Sequence, residues 1–148
     1  MRRVAIVLAV ALPLAAADLV WKDIATTPHW AYHTRSPAWL GLSIGLILAA
    51  IAVARVPSVV VPLAAGVMAG GVLGNALSAA WNGLRVPNPI VASSQDAVIA
   101  FNLADVFTTT GILALTASLA VALVRHRRLL PTRQAARAMW ARALQRRS

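Results

Sequence analysis

Four long apolar runs alternate with shorter polar breaks along the chain: residues 4–20, 39–54, 59–80 and 101–124. None alternates with a period of two, and each approaches the roughly 17–25 residues a helix needs to cross the hydrocarbon core. The second run is the shortest and reaches that length by borrowing Pro37 and Ala38. Backbone groups inside lipid must be satisfied within the protein, so runs of this kind are helices. The pattern predicts an all-α polytopic membrane protein. Its two parts are a four-helix transmembrane bundle over 1–124 and a basic cytoplasmic tail over 125–148. Residues 1–20 also have the layout of a secretory signal peptide, with Arg2 and Arg3, an apolar stretch and Ala15–Ala17. Three further spans follow, and Asp18 and Lys22 lie just past the alanines, so the run reads as a retained helix, with Pro13 expected to bend it.

Composition sharpens this picture. Hydrophobic residues make up 59% of 148, charged residues only 12%, and the mean hydropathy is +0.73. The net charge of +10 does not point to nucleic acid, because the cations cluster at the chain ends and no recognition module is present. Without cysteine there is no disulfide, no thiolate ligand and no thiol nucleophile. His29 and His33 are four apart in a loop with Pro28 and Pro37, and such a pair does not make a metal site. No metal or other cofactor is expected.

Orientation follows from the bias of Lys and Arg toward the cytoplasmic side. With both termini and the turn at Arg55 inside, the inner side holds eleven cations (Arg2, Arg3, Arg55, Arg125, Arg127, Arg128, Arg133, Arg137, Arg142, Arg146, Arg147). The outer side holds three (Lys22, Arg35, Arg85). This orients the chain in its membrane with both ends cytoplasmic. The same topology puts all four acids, Asp18, Asp23, Asp96 and Asp105, near the outer surface. The long connections, 21–38 and 81–100, are also outside. Trp21, Trp30, Tyr32, Trp39 and Trp81 suit an aromatic belt there. In the tail, Ala136, Met139, Trp140, Ala143 and Leu144 share a helical face and arginines fill the rest. That reads as an interfacial helix on an anionic leaflet.

Ionisable residues inside spans are functional candidates. Asp105 lies near the start of the fourth run and shares a helical face with Asn102, Thr109 and Thr116. The third run carries a matching stripe, Gly71, Asn75, Ser78 and Asn82, and two such stripes should face each other rather than lipid. Gly66, Gly70 and Gly74 recur every fourth residue, a spacing that lets backbones approach closely and would bring Asn75 to Asp105. Asp18 and Lys22 have the acid-first spacing of a helical ion pair.

Three segments, Asp18-Leu-Val-Trp-Lys22, Gly70-Gly-Val-Leu-Gly74-Asn75 and Phe101-Asn-Leu-Ala-Asp105, resemble in order and spacing the motifs of signal peptidase II, the lipoprotein signal peptidase of bacteria. The likeness covers about residues 15 to 120. It implies four spans and an aspartic endopeptidase that removes signal peptides from lipid-modified prolipoproteins, through two aspartates that share one proton and activate water. Asp105 matches one of those aspartates; Asp18, Lys22, Asn75 and Asn102 match supporting positions. The second aspartate is replaced: its segment reads Val86-Pro87-Asn88-Pro89-Ile90, so Asn88 or Pro87 fills the place, and Asn88 joins the supporting residues. Ser78 and Ala79 stand where the family has Asp and Arg, and His33–Trp39 only loosely echoes a small-residue motif. An amide cannot titrate, so the candidate partner of Asp105 is Asp96 if its loop folds back, although the favoured reading of Asp96 is an exposed loop acid. Two functions follow: a peptidase with the altered pair Asp105 and Asp96, or an inactive homologue that binds lipidated peptides or serves as a membrane partner subunit. In both, the partners are a prolipoprotein peptide and the phospholipid bilayer. A small transporter using Asp105 is a third class, disfavoured by the lack of an internal repeat.

Overall fold

The computed structural model of the chain describes residues 1–126. Four helices account for most of it: α1 (Arg2–Ile24), α2 (Pro37–Val53), α3 (Val60–Trp81) and α4 (Leu103–His126). α1, α3 and α4 are long and apolar enough to cross a membrane, and α2 is a shorter apolar helix of 17 residues that starts at Pro37. The tail helix expected beyond residue 126 lies outside the described residues.

Local chemistry sets the boundaries. Ser36 caps α2, its Oγ accepting from the Trp39 N–H at 3.2 Å, with Pro37 in the first helical turn where its missing N–H costs nothing. α3 ends in a Schellman turn. There the Leu84 N–H reaches the Ala79 carbonyl at 2.8 Å, and Gly83 and Leu84 take φ of 60° and 65°. The residue left of the helix, Leu84, is thus held in a backbone region that favours glycine, and the chain is re-aimed into the next strand. α1 continues through Pro13 without ending.

α3 is the central helix and packs against α1, α2 and α4. Its inward residues are small: Ala64, Ala65, Gly66, Ala69, Gly70, Gly71 and Gly74 are all buried. α1 meets it with Val7, Ala11, Ala15 and Asp18. The large apolar side chains point outward instead. Leu8, Leu12, Leu42, Ile44, Leu48, Ile112, Leu113 and Leu123 are exposed on α1, α2 and α4. Large apolar side chains exposed along whole helices belong in lipid, not water.

The long connections are not plain loops, which the all-helical expectation missed. β1 (Tyr32–Thr34) pairs antiparallel with β2 (Arg85–Pro87), joining the two connections through Tyr32↔Pro87, His33↔Val86 and Thr34↔Arg85. β3 (Ile90–Ser93) and β4 (Val98–Phe101) form a hairpin that runs directly into α4. α4 therefore begins at Leu103, two residues later than the apolar run. Strands this short carry too few residues to show a period.

Candidate functional site

The polar residues gather at the end of the bundle where α1 and α3 finish and α4 starts. The glycines divide this task between two interfaces. A Cβ on Gly66 would lie 2.8 Å from Val10 Cβ, and one on Gly70 2.9 Å from the Ala11 carbonyl, so both seat α1. A Cβ on Gly74 would lie 2.7 Å from Asp18 Oδ2. The every-fourth glycine stripe thus serves α1, contrary to the expectation that it brings Asn75 to Asp105. That approach rests on Gly71, against Ala104 and Thr108, and on Gly111, against the Met68 backbone. Only half of the expected α4 stripe is inward. Asn102 is buried and Asp105 half-buried, but Thr109 and Thr116 are exposed, because the buried face of α4 runs through Ala104, Gly111 and Leu115.

Around Asp18, hydrogen bonds tie three helices together. Its Oδ1 accepts from the Ala104 N–H at 2.8 Å, and Lys22 Nζ donates to its Oδ2 at 2.6 Å. Both side chains of this pair are withdrawn from solvent, at 0% and 4% exposure. Lys22 Nζ also donates to Asn75 Oδ1 at 2.7 Å. That leaves the Asn75 amide to donate, and Nδ2 does so to Asp105 Oδ1 at 2.8 Å. The ammonium has no acceptor atoms, so it determines which way the Asn75 amide points.

Asp105 and Asn102 form a reciprocal cap on α4. The Asp105 N–H donates to Asn102 Oδ1 at 3.0 Å, and the Asn102 N–H donates to Asp105 Oδ2 at 3.1 Å. This is a capping box with Asn and Asp in place of Ser and Glu, and it also sets a carboxylate on the positive end of the helix. Part of the motif is therefore explained by helix initiation alone.

The network continues into the strands. With its oxygen taken by a backbone N–H, Asn102 donates through Nδ2 to Asn88 Oδ1 at 2.6 Å. Asn88 then donates through Nδ2 to His33 Nδ1 at 2.9 Å and to the Ala100 carbonyl at 3.4 Å. His33 Nδ1 is the acceptor in this arrangement, so its ring proton sits on Nε2. Asn88 is fully buried, and its N–H is bonded to the Ala31 carbonyl at 3.1 Å. His33 is the member that sequence reading missed. Only the β1–β2 pairing, which joins positions 55 apart, brings it to Asn88.

Asp96 lies apart from this cluster. Its loop is the turn of the β3–β4 hairpin, where Ser94 and Ala97 bond to each other and Asp96 is exposed, as the favoured reading of a loop acid has it. Four paired positions separate the turn from Phe101, roughly 10 Å at about 3.3 Å per residue. A paired hairpin cannot curl Asp96 onto Asp105 without giving up its ladder.

Two grooves open on the network from different sides. One, of about 360 Å³, exposes Asp105 among Ile99, Phe101, Val106, Thr109 and Thr110. The other, of about 450 Å³, reaches Lys22 and Asp23 beside Tyr32, Ser78, Trp81 and Asn82. Asp105 is thus a single carboxylate on the wall of a mainly apolar groove, and it has lone pairs left for a donor on a bound molecule. Comparison of the chain with family models, with characterised proteins and with solved structures finds no match, so the functional reading rests on these residues and their geometry.

Proposed function

We propose that this chain is a membrane protein of signal peptidase II type that binds lipid-modified peptides without cutting them. In this reading all four helices span a bacterial plasma membrane, both termini are cytoplasmic, and the polar network lies near the outer surface. A lipidated prolipoprotein segment lies along the groove of Ile99, Phe101 and Val106, with a peptide N–H facing Asp105.

One observation carries the choice of binding over cleavage. The position matched to the second catalytic aspartate holds Asn88, buried and engaged through both ends of its amide. Water activation by a carboxyl pair needs two groups that exchange one proton, and an amide has none to exchange. Asp18 is no substitute, because it is fully buried, ion-paired with Lys22 and absent from the lining of the groove that exposes Asp105.

The test is incubation of the purified chain with a lipid-modified prolipoprotein carrying a photo-crosslinker in its signal segment. Crosslinking that depends on Asp105, with no shift in substrate size, is the expected result. A size shift abolished by both Asp105→Asn and Asp96→Asn would establish the altered pair and a working peptidase. Absence of both crosslink and shift would remove the prolipoprotein as a partner.

A further inference from the structure

Among the described residues, the charges at the opposite end of the bundle have no partners of opposite sign. All four acids of the chain lie elsewhere: Asp18 and Asp23 late in α1, Asp96 in the hairpin and Asp105 in the first turn of α4. Asp18 is the acid on the same helix as Arg2 and Arg3, and it lies about 22 Å along α1 from Arg3 at about 1.5 Å per residue. Charges that far apart at an exposed surface are screened from each other, since the Debye length is about 8 Å in physiological salt.

Here Arg2 and Arg3, in the first turn of α1, meet Arg55, in the turn between α2 and α3. The three line one recess of about 760 Å³ whose remaining wall includes Val4, Ala5 and Leu8. The recess is a product of tertiary structure. Arg3 Nη1 donates to the Arg55 carbonyl at 2.9 Å and also to the Val56 carbonyl, which locks the two segments together. Arg55 is exposed, as is Arg2. Leu8, on the bundle side, is exposed too, so the apolar wall runs on into the lipid-facing surface of α1.

We propose that this recess binds the phosphate of an anionic phospholipid, with Arg2, Arg3 and Arg55 around the headgroup and an acyl chain descending past Val4 and Leu8. A guanidinium matches phosphate geometry with paired N–H donors. The arginines satisfy the charge of the lipid, and the apolar wall selects a lipid over a free anion. The site does not depend on the peptide-binding reading; it requires only that the helices lie in a bilayer. It also gives Arg3 a double role, pinning the α2–α3 turn while presenting its remaining donors.

Native mass spectrometry of the full chain in detergent tests this, with phosphatidylglycerol, phosphatidylcholine and inorganic phosphate as probes. The expected result is retention of one phosphatidylglycerol in preference to phosphatidylcholine, without displacement by millimolar phosphate. Arg55→Gln and Arg2→Gln should each weaken retention about tenfold, the equivalent of one charge-assisted hydrogen bond. Arg85→Gln, the same charge change at the far end, should leave it unaltered. Equal retention of both lipids, an equal loss in Arg85→Gln, unchanged retention in both Arg2→Gln and Arg55→Gln, or displacement by free phosphate would each overturn the proposal.

Discussion

The two ends of the bundle handle charge differently. Where α1 and α3 end, Asp18, Lys22, Asn75 and Asp105 satisfy one another within the protein, and the cation is almost fully withdrawn from solvent. At the other end Arg2 and Arg55 are exposed and Arg3 half-buried around a recess, and among the described residues they face no carboxylate. The first arrangement makes its charges part of the fold, since removing one partner strands another in a poorly solvated place. The second leaves Arg2 and Arg55 to whatever surrounds the protein, so these two matter for binding and little for folding, while Arg3 also pins the α2–α3 turn.

Substitutions that separate the two ends sharpen this contrast. The largest effect is expected for Asp18→Ala, which leaves Lys22 with one acceptor and the Ala104 N–H with none. A loss of about 3–5 kcal/mol is typical of a broken buried pair, and unfolding in detergent measures it. Exchange of both partners for apolar residues, Asp18→Leu with Lys22→Met, should recover much of that loss, which a double-mutant cycle reads directly. A cost below about 1 kcal/mol for Asp18→Ala, the range of exposed pairs, would show that the ion pair is solvated and that the ends do not differ.

Glycine substitutions come next. Gly71→Ala would drive a methyl group into Ala104 and Thr108 and should cost about 1–3 kcal/mol as an overpacked core does. Gly41→Ala in α2 meets nothing within 4 Å and should instead stabilise by roughly 0.5–1 kcal/mol through helix propensity. The same unfolding assay compares them, and equal effects would mean that α3 and α4 are not in backbone contact.

Asn88→Asp should be destabilising by about 1–3 kcal/mol, because the Ala100 carbonyl and His33 Nδ1 would lose their shared donor. If this variant unfolds like the wild type, Asn88 is not held as described and the route to a second carboxylate is open. Smallest of all is Arg55→Gln, expected within about 0.5 kcal/mol of wild type in detergent as an exposed substitution. Its effect should appear only in lipid retention.

The residues picked out by their spacing in the chain illustrate how far sequence carries a site. Asp18 and Lys22 are four apart on one helix, and Asn102 and Asp105 three apart at a helix start. Both pairings are local, and both form in the structure. Asn88 is singled out only through the altered motif segment, and no spacing links it to His33. Their contact depends on two connections pairing as strands, and a three-residue strand leaves no periodic trace. Asp96 is the reverse case: its proximity to Asp105 in sequence suggested a partnership that a four-rung hairpin opposes.

The sequence by itself determined the helical class, the apolar lengths of the helices and the uneven placement of its charges, because these depend on hydrophobicity and on contacts within one or two turns. Tertiary structure alone decided which glycines seat α1 and which seat α4, since glycines one position apart point to different neighbours on a helix of 3.6 residues per turn. It also decided that Asp105 is met by amides, from Asn75 and Asn102, and that three arginines meet at one recess. Such contacts join residues tens of positions apart, and only packing selects among the partners that chemistry would allow.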